Sequence, residues 1–312
     1  MSASGGTKAI VAALLANVGI AISKFVAFLL TGSSSMLAES IHSVADSGNQ
    51  GLLLIGGRRA TREASVEHPF GYGRARYIYA FIVAIVLFTV GGLFALYEGW
   101  HKLSHPQPIT DWAWVPVAVL VVGIVLETFS FRTAIVEANQ IRAKGQSWID
   151  FIRHSKAPEL PVILLEDLGA LVGLVLALAG VGLTLLTGNG MWDGAGTISI
   201  GVLLVAIAVI LAMETKSLLL GEGASPEHHR AIEQALAGEP LVTRVIHMKT
   251  LHLGPDELLV AAKIAVGRAA SAADIAAAID AAESRIRAAV AIECVIYLEP
   301  DIERPASGRE SA

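Results

Sequence analysis

Of the 312 residues, 54% are hydrophobic and only 16% are charged, and the mean hydropathy is +0.61, which excludes an ordinary soluble globular protein and predicts a chain that lies in lipid. The formal net charge is −5 and no basic tract occurs, so nucleic acid is excluded as a partner. Because Cys294 is the only cysteine, one chain can form neither a disulfide framework nor a thiolate zinc site, and any metal ligands must be oxygen and nitrogen atoms.

Six apolar stretches follow one another from the N-terminus. A helix needs about 20 mostly apolar residues to cross the hydrocarbon layer. Stretches of about that length cover residues 9–31, 36–57, 76–100, 112–135, 159–186 and 194–220. The first stretch follows Lys8, but it is too long for a signal peptide and no cleavage pattern comes after it, so we interpret it as a retained span. The pattern predicts an α-helical membrane domain with six transmembrane helices over residues 1–220.

The last third of the chain is different, because charged residues become frequent from Gly221 onward. Its hydrophobic periodicity predicts two helices and three strands. In chain order these are a helix over 226–238, strands over 242–252 and 257–266, a helix over 271–289 and a strand over 291–299. We therefore predict a small soluble α+β domain over residues 221–304, followed by a short polar tail over 305–312 that we expect to be disordered.

The connections between the predicted spans differ in charge. Two of them are rich in basic residues: Arg58, Arg59, Arg62, Arg74 and Arg76 flank the second, and Arg132, Arg142, Lys144, Arg153 and Lys156 flank the fourth. By the positive-inside rule, both termini and the soluble domain are cytoplasmic. The Ala- and Gly-rich composition favours a bacterial cytoplasmic membrane.

The second predicted span carries a polar stripe. An ionisable side chain near the middle of a bilayer costs roughly 2.5–3.5 kcal/mol, so each one needs a partner or a function. At 100° per residue, Glu39, His42, Asp46 and Asn49 fall within an arc of about 80°. One helical turn separates His42 from Asp46, so an imidazole nitrogen and a carboxylate oxygen can reach one ion about 2 Å from each. This pair provides half of a tetrahedral metal site.

The fifth predicted span carries the adjacent acids Glu166 and Asp167. Carboxylates on two neighbouring helices repel each other unless a cation or a proton lies between them. Glu166 shares its face with the small residues Ala170, Gly173 and Ala177, which allow another helix to approach closely. We favour Glu166 as the inward acid and keep Asp167 as a second predicted ligand, since a modest rotation of the helix brings both inside. The alternative is a His42–Asp46 hydrogen bond that only joins helices.

For other polar residues at membrane depth, a structural ion pair and a role in transport are both open. Lys24 lies in the middle of the first span, and we expect it to neutralise a neighbouring acid such as Glu127 in the fourth. Asn17 and Glu98 are interpreted as structural or interfacial.

Two segments resemble the cation diffusion facilitator family. The segment Thr31-Gly-Ser-Ser-Ser-Met-Leu-Ala-Glu39-Ser-Ile-His42-Ser-Val-Ala-Asp46-Ser-Gly-Asn49-Gln resembles the first-to-second-helix motif of that family. The segment His68-Pro-Phe-Gly-Tyr-Gly-Arg74 resembles the loop that follows. Around Glu166 and Asp167 the chain is more similar to the branch that contains the animal zinc transporter 9 than to bacterial members with a second histidine motif.

The resemblance implies both a fold and a function. The fold is six transmembrane helices with a C-terminal cytosolic ferredoxin-like domain of order αββαβ. The function is efflux of zinc, or a similar divalent cation, in exchange for protons, by a homodimer with no prosthetic group and no enzymatic activity. His42 and Asp46 carry over as metal ligands, whereas Asn49, Glu39 and His68 are weaker candidates.

The chain departs from the family pattern at three places. In the fifth span the usual His or Asp four residues before the ligand acid is absent, since Ile163 precedes Asp167 at that spacing. Tyr297 stands where the family's cytosolic domain has a histidine in the last strand, and Tyr72 replaces an often-present loop histidine. The transported ion therefore stays open among zinc, iron, manganese, cobalt and cadmium.

Two other functions compete with transport. A metal held by His42, Asp46 and Glu166 can activate water in an intramembrane hydrolase, although no second acid–base partner is evident. A non-transporting relative that acts as a metal sensor or scaffold is the other alternative. Flux of a metal ion distinguishes transport from both.

Overall fold

The structure is a computed structural model that describes residues 18–109 and 112–302. The predictions for residues 9–17 and 305–312 lie outside the described residues. The chain divides into two compact units. The first contains the described residues up to Arg58 and from Arg76 to Lys216, and the second contains Arg59–Ala75 and the residues from Ser217 onward. The second unit thus includes a connection between two helices of the first, whereas the sequence places its boundary at residue 220.

In the part of the chain that the structure describes, five long helices and one shorter helix segment, α1, belong to the membrane domain predicted from the sequence. They are α1 (Val18–Thr31 of the described residues), α2 (Ser34–Ala60), α3 (Ala75–Ser104), α4 (Trp114–Ile141), α5 (Glu159–Thr187) and α6 (Met191–Leu220). A short helix, Trp148–His154, lies between α4 and α5. Helices α3 to α6 are long and apolar enough to cross a membrane, which supports a multi-pass membrane protein. The polar stripe lowers the hydropathy of α2, and the described part of α1 is short, so six spans stay a prediction.

The helices extend beyond the apolar stretches from which they were predicted. The third continues to Ser104 and the fourth to Ile141, because a helix keeps its backbone hydrogen bonds as it leaves the apolar layer. Within α3, Leu87–Leu93 forms a π-helical segment that periodicity did not predict. Such wide turns displace one residue from the regular ladder and often lie beside functional groups.

Glycines bring α3 and α6 into close contact. A Cβ atom added at Gly99 would lie 2.7 Å from the backbone nitrogen of Ile198, and one added at Gly201 would lie 2.8 Å from the backbone nitrogen of Leu96. Small residues at such positions let helix backbones approach, which is how helices associate in a lipid environment.

We expect Gly99→Ala to destabilise the protein by about 1–3 kcal/mol, because the new methyl group meets backbone atoms that cannot move aside independently. The matched control is Gly182→Ala in α5, where a Cβ atom meets nothing within 4 Å. Because alanine has a higher helix propensity than glycine, Gly182→Ala should raise the free energy of unfolding by up to about 1 kcal/mol. Thermal unfolding in detergent measures both changes. Equal unfolding midpoints for the two variants would contradict the close α3–α6 packing.

The second unit has the predicted order of helix, strand, strand, helix and strand. Its elements are α7 (Pro226–Ala237), β1 (Val242–Gly254), β2 (Glu257–Val266), α8 (Ala272–Ala289) and β3 (Glu293–Ile302). The sheet order is β1-β2-β3, with β1 antiparallel and β3 parallel to β2. The parallel pairing requires a crossover, which α8 provides. Fully buried side chains from helices and sheet form the core: Ile232, Leu236, Leu258, Val260, Ile264 and Ile286.

Local side-chain contacts define the ends of these elements. Ser271 and Asp274 form a reciprocal capping box at the start of α8, and the hydrogen bonds from Ser271 lower the pKa of the Asp274 carboxyl. At the start of β2, partial burial and the adjacent Glu293 raise the pKa of Glu257. In the 59–75 segment a Cβ at Gly73 would lie 2.8 Å from the carbonyl oxygen of Leu253, so this segment lies directly against the β1–β2 turn.

Candidate metal site

His42 and Asp46 lie side by side on α2, as their spacing predicts. The Nε2 atom of His42 is 3.4 Å from Oδ2 of Asp46, and the His42 side chain is 1% exposed. Neither ring nitrogen of His42, nor Oδ1 of Asp46, has a hydrogen-bond partner among the described residues. Buried polar atoms are nearly always satisfied in proteins, so unpaired atoms of this kind indicate a missing ligand, ion or water.

The two acids of α5 turn towards different helices. Glu166 accepts a 2.6 Å hydrogen bond from Nδ2 of Asn49, which belongs to the polar stripe of α2. Asp167 accepts a 3.0 Å hydrogen bond from the hydroxyl of Ser130 in α4. Both acids are less than 9% exposed. Glu166 is thus the acid that joins α5 to the stripe, and Oδ1 of Asn49 has no partner among the described residues.

A polar cavity of about 100 Å³ lies between α1, α2, α4 and α5. Four carboxylates line it, from Asp46, Glu127, Glu166 and Asp167, and so does Lys24. This volume is several times the ~10–15 Å³ that one water needs by the same kind of measure, so the cavity has room for an ion with some of its water. Acids on three helices therefore share one aqueous space.

Lys24 pairs with a neighbouring acid, as predicted, but that acid is Glu39 and not Glu127. Its Nζ atom lies 2.9 Å from Oε2 of Glu39 and 2.9 Å from the hydroxyl of Ser43. Both members of the Lys24–Glu39 pair are almost fully buried. The other oxygen of Glu39 faces Gly173, where a Cβ atom would lie 2.9 Å away. Glu39 is thus the partner of a lysine and is not part of the cavity lining.

The predicted ligands do not form one metal-binding cluster in the structure. In the described part of the chain, no three His, Cys, Asp or Glu side chains lie close enough together to hold a metal ion. Hydrogen bonds to Asn49 and Ser130 occupy the two α5 acids instead. His68 belongs to the second unit, where its exposed ring meets that of Tyr72 edge-on at 4.6 Å between centroids. Coordination by the predicted residues stays a prediction.

Two features of the site were not recognised in the sequence. Glu127 is not among the predicted ligands, and it lines the cavity with the other acids. A carboxylate in the middle of an apolar helix is costly, so the position of Glu127 in the sequence could have indicated a functional role. The π-helical segment of α3 places Gly91 beside His42, because a Cβ atom there would lie 3.9 Å from Nδ1 of the histidine. No pattern in the sequence indicated this contact.

The donor atoms define the chemistry that the site can perform. One imidazole and several carboxylates suit zinc, manganese, iron or cobalt, with geometry and availability deciding among them. Such ligands bind metal only when deprotonated, so binding a cation releases protons. A few protein ligands plus water form an open site that can let its ion go again.

Comparisons with known proteins place this geometry in a family context. The family model of the cation efflux transmembrane domain matches residues 10–220. The chain is 35% identical over 232 residues to the human proton-coupled zinc antiporter SLC30A9, mitochondrial, which covers 74% of this chain and 41% of the relative. It is 28% identical over 262 residues to metal tolerance protein C4 of Arabidopsis thaliana, covering 82% of this chain and 56% of the relative. The chain thus spans about two fifths of the first relative and just over half of the second.

A bacterial relative is matched over most of its length. The chain is 25% identical over 262 residues to the cation-efflux pump FieF of Pectobacterium atrosepticum, covering 81% of this chain and 79% of that protein.

Proposed function

This chain belongs to the cation efflux family, the cation diffusion facilitators, in the branch similar to zinc transporter 9, and we propose that it exports zinc in exchange for protons. The observation that carries the proposal is the His42–Asp46 pair. Its donor atoms are buried and lack hydrogen bonds among the described residues, and Asp46 lines a cavity shared with acids of α4 and α5. The name of the human relative gives zinc and protons, and the name of the bacterial relative gives cation efflux, which supports the proposal.

In the proposed cycle zinc enters the cavity and meets Asp46 first, since Asp46 is the more exposed member of the pair. The cation displaces protons from His42 and the carboxylates, because only the deprotonated groups bind it. Glu166 exchanges its hydrogen bond with Asn49 for a bond to the ion, which brings α2 and α5 together. When protons return to these groups on the far side, the zinc leaves.

We further propose the arrangement in the membrane. All six helices cross the bilayer, and the basic connections place both termini and the second unit on the cytoplasmic side. The second unit has a ferredoxin-like order of elements and supplies part of a homodimer contact. Composition favours a bacterial cytoplasmic membrane, whereas several matched relatives carry mitochondrial names, so we propose only a membrane that maintains a pH gradient.

Flux into proteoliposomes tests the proposal. With the purified protein, a zinc-sensitive dye inside and an imposed pH gradient, we expect zinc to accumulate on the side from which protons leave. Nigericin, which exchanges protons for potassium, should abolish the accumulation. Manganese, iron and cadmium are measured in the same way, and the cation with the fastest gradient-dependent flux is the cargo. Zinc flux that persists at the same rate after nigericin would exclude proton exchange.

A metal sensor or scaffold is the second candidate. It is favoured by the absence, among the described residues, of any group of three metal-binding side chains. Zinc binding at equilibrium with no flux of any of the four metals would establish this alternative.

A further inference from the structure

A further buried carboxylate, that of Asp193, lies away from the proposed metal site. It occupies the first turn of α6 and its exposed fraction is 0%. The turn between α1 and α2, residues 32–35, which we call the α1–α2 corner, lies directly against it. None of the proposed steps uses this group. A buried charge of this kind needs several strong hydrogen bonds to be tolerated.

The carboxylate of Asp193 caps helix α2 from another helix. Its Oδ2 atom accepts hydrogen bonds from the backbone nitrogen of Ser34 at 2.7 Å and from the Ser34 hydroxyl at 3.2 Å. Its Oδ1 atom accepts from the Ser33 hydroxyl at 2.9 Å and from the backbone nitrogen of Ser35 at 3.3 Å. The two backbone nitrogens belong to the first turn of α2, whose N–H groups have no partner within the helix. The partial positive charge at the start of a helix also stabilises the carboxylate. The cap thus joins α2 to α6.

Further contacts close the same end of the bundle. The Thr197 hydroxyl lies 2.9 Å from that of Ser34 and 3.1 Å from that of Ser35. Nζ of Lys102, near the end of α3, donates to the carbonyl oxygen of Gly32 at 2.8 Å. Both Thr197 and Lys102 are buried. The α1–α2 corner is thus attached to α3 and α6 by side chains that exclude water.

The cavity lies towards the opposite end. Along α2 its lining begins at Ser43, nine residues or about 13 Å from the helix start at Ser34. Along α5 it runs from Ile163 to Leu174, whereas the helix continues to Thr187. The end of the bundle that contains the α1–α2 corner is therefore the closed end, and Asp193 is at the centre of its hydrogen bonds.

We propose that Asp193 is a positioning residue whose cap on α2 keeps this end of the bundle closed and is released when the cargo leaves through it. The inference rests on the proposed function, since a carrier must open alternately to its two sides. Because α2 is one continuous helix that also carries His42 and Asp46, the cap sets the axial position and the rotation of both ligands. Release of the cap moves the metal site and opens the exit together.

Accessibility of an engineered cysteine tests this without any measurement of transport. In a Cys294→Ser background, Ala38→Cys introduces a thiol one turn into α2, where the native side chain is 4% exposed. A membrane-impermeant maleimide is applied to intact cells and to everted vesicles. Gln107→Cys, in the exposed α3–α4 connection, identifies which preparation presents the closed end to the reagent.

We expect the parent Ala38→Cys protein to react slowly from that side. Adding Asp193→Asn keeps the shape but removes the charge, and should increase the labelling rate about tenfold, as expected for the loss of a charge-assisted cap. Adding Thr197→Val should give a smaller increase, and Asp274→Asn, which alters a helix cap of the second unit, should give none.

Unchanged labelling in both the Asp193→Asn and the Thr197→Val proteins would overturn the inference. If the Asp193→Asn protein does not fold, the labelling rate of the Thr197→Val protein alone tests the inference. If Asp193→Asn increases labelling but the parent protein shows no zinc flux in proteoliposomes, the closed-end cap is supported and the proposed function is contradicted. A failure of the inference can therefore be told apart from a failure of the proposed function.

Discussion

Replacing Asp46 with alanine should reduce gradient-driven zinc flux by about 100-fold or more. Loss of even an indirect contact to a metal ligand costs 10–100-fold in metal affinity, and Asp46 is proposed to contact the ion itself. It is also the proposed ligand that both lines the cavity and lies beside His42. Initial rates in proteoliposomes at zinc concentrations well below saturation of the parent, together with equilibrium zinc binding in detergent, measure the effect.

The matched control for Asp46 is Glu137→Gln. Glu137 is an exposed acid on α4 that does not line the cavity, so its replacement removes a similar charge from a membrane helix without touching the site. It should leave flux within about twofold of the parent, as surface substitutions usually do little. Flux that survives in the Asp46→Ala protein, with unfolding midpoints equal to the parent, would refute the role assigned to this carboxylate.

Replacing Lys24 with methionine should destabilise the protein by about 3–5 kcal/mol, because it leaves the Glu39 charge buried without a partner. The two side chains are 5% and 0% exposed and their charged atoms lie 2.9 Å apart. Methionine keeps the length of the lysine stem, so lost packing contributes little. For a chain of this size the unfolding midpoint should fall by roughly 10 °C, which fluorescence of the native tryptophans can follow in detergent.

The double replacement Lys24→Met with Glu39→Gln isolates the charge pair. Removing both charges should recover much of the loss, since the double variant no longer leaves a buried charge without a partner. The Lys263–Glu299 pair provides the comparison, with 2.8 Å between charged atoms but a Glu299 side chain that is 66% exposed. Lys263→Met should lower the unfolding midpoint much less than Lys24→Met, because solvent screens an exposed ion pair. A double variant no more stable than Lys24→Met would show that Lys24 stabilises by packing rather than by pairing.

Periodicity within single helices could be predicted from the sequence. The spacing of His42 and Asp46 placed both side chains on one face of α2, and this adjacency appears in the structure because 3.6 residues per turn is a local property. The small residues beside Glu166 indicated that its face meets another helix, and Asn49 of α2 is found there. The element order of the second unit followed in the same way from periods of 2 and 3.6 residues.

Which buried charges meet across helices could not be predicted. Lys24 had several acids within reach of its span, and only the packing of α1 on α2 selects Glu39 over Glu127. The π-helical turn of α3 beside His42 has no compositional signal either, because its residues are ordinary apolar ones. Both features depend on how two helices pack against each other, which the periodicity within one helix does not determine.

The sequence by itself determined that this protein lies in lipid and which side chains share one face of a helix. Its hydropathy requires a bilayer, and in a bilayer each backbone polar group must be satisfied inside a helix, so long helices with a polar stripe follow directly. The tertiary structure alone decided the partners: Asp193 for the start of α2, Glu39 for Lys24, and one cavity for the acids of α2, α4 and α5. Burial makes an unpaired charge costly but does not choose its partner, and that choice depends on how the helices pack.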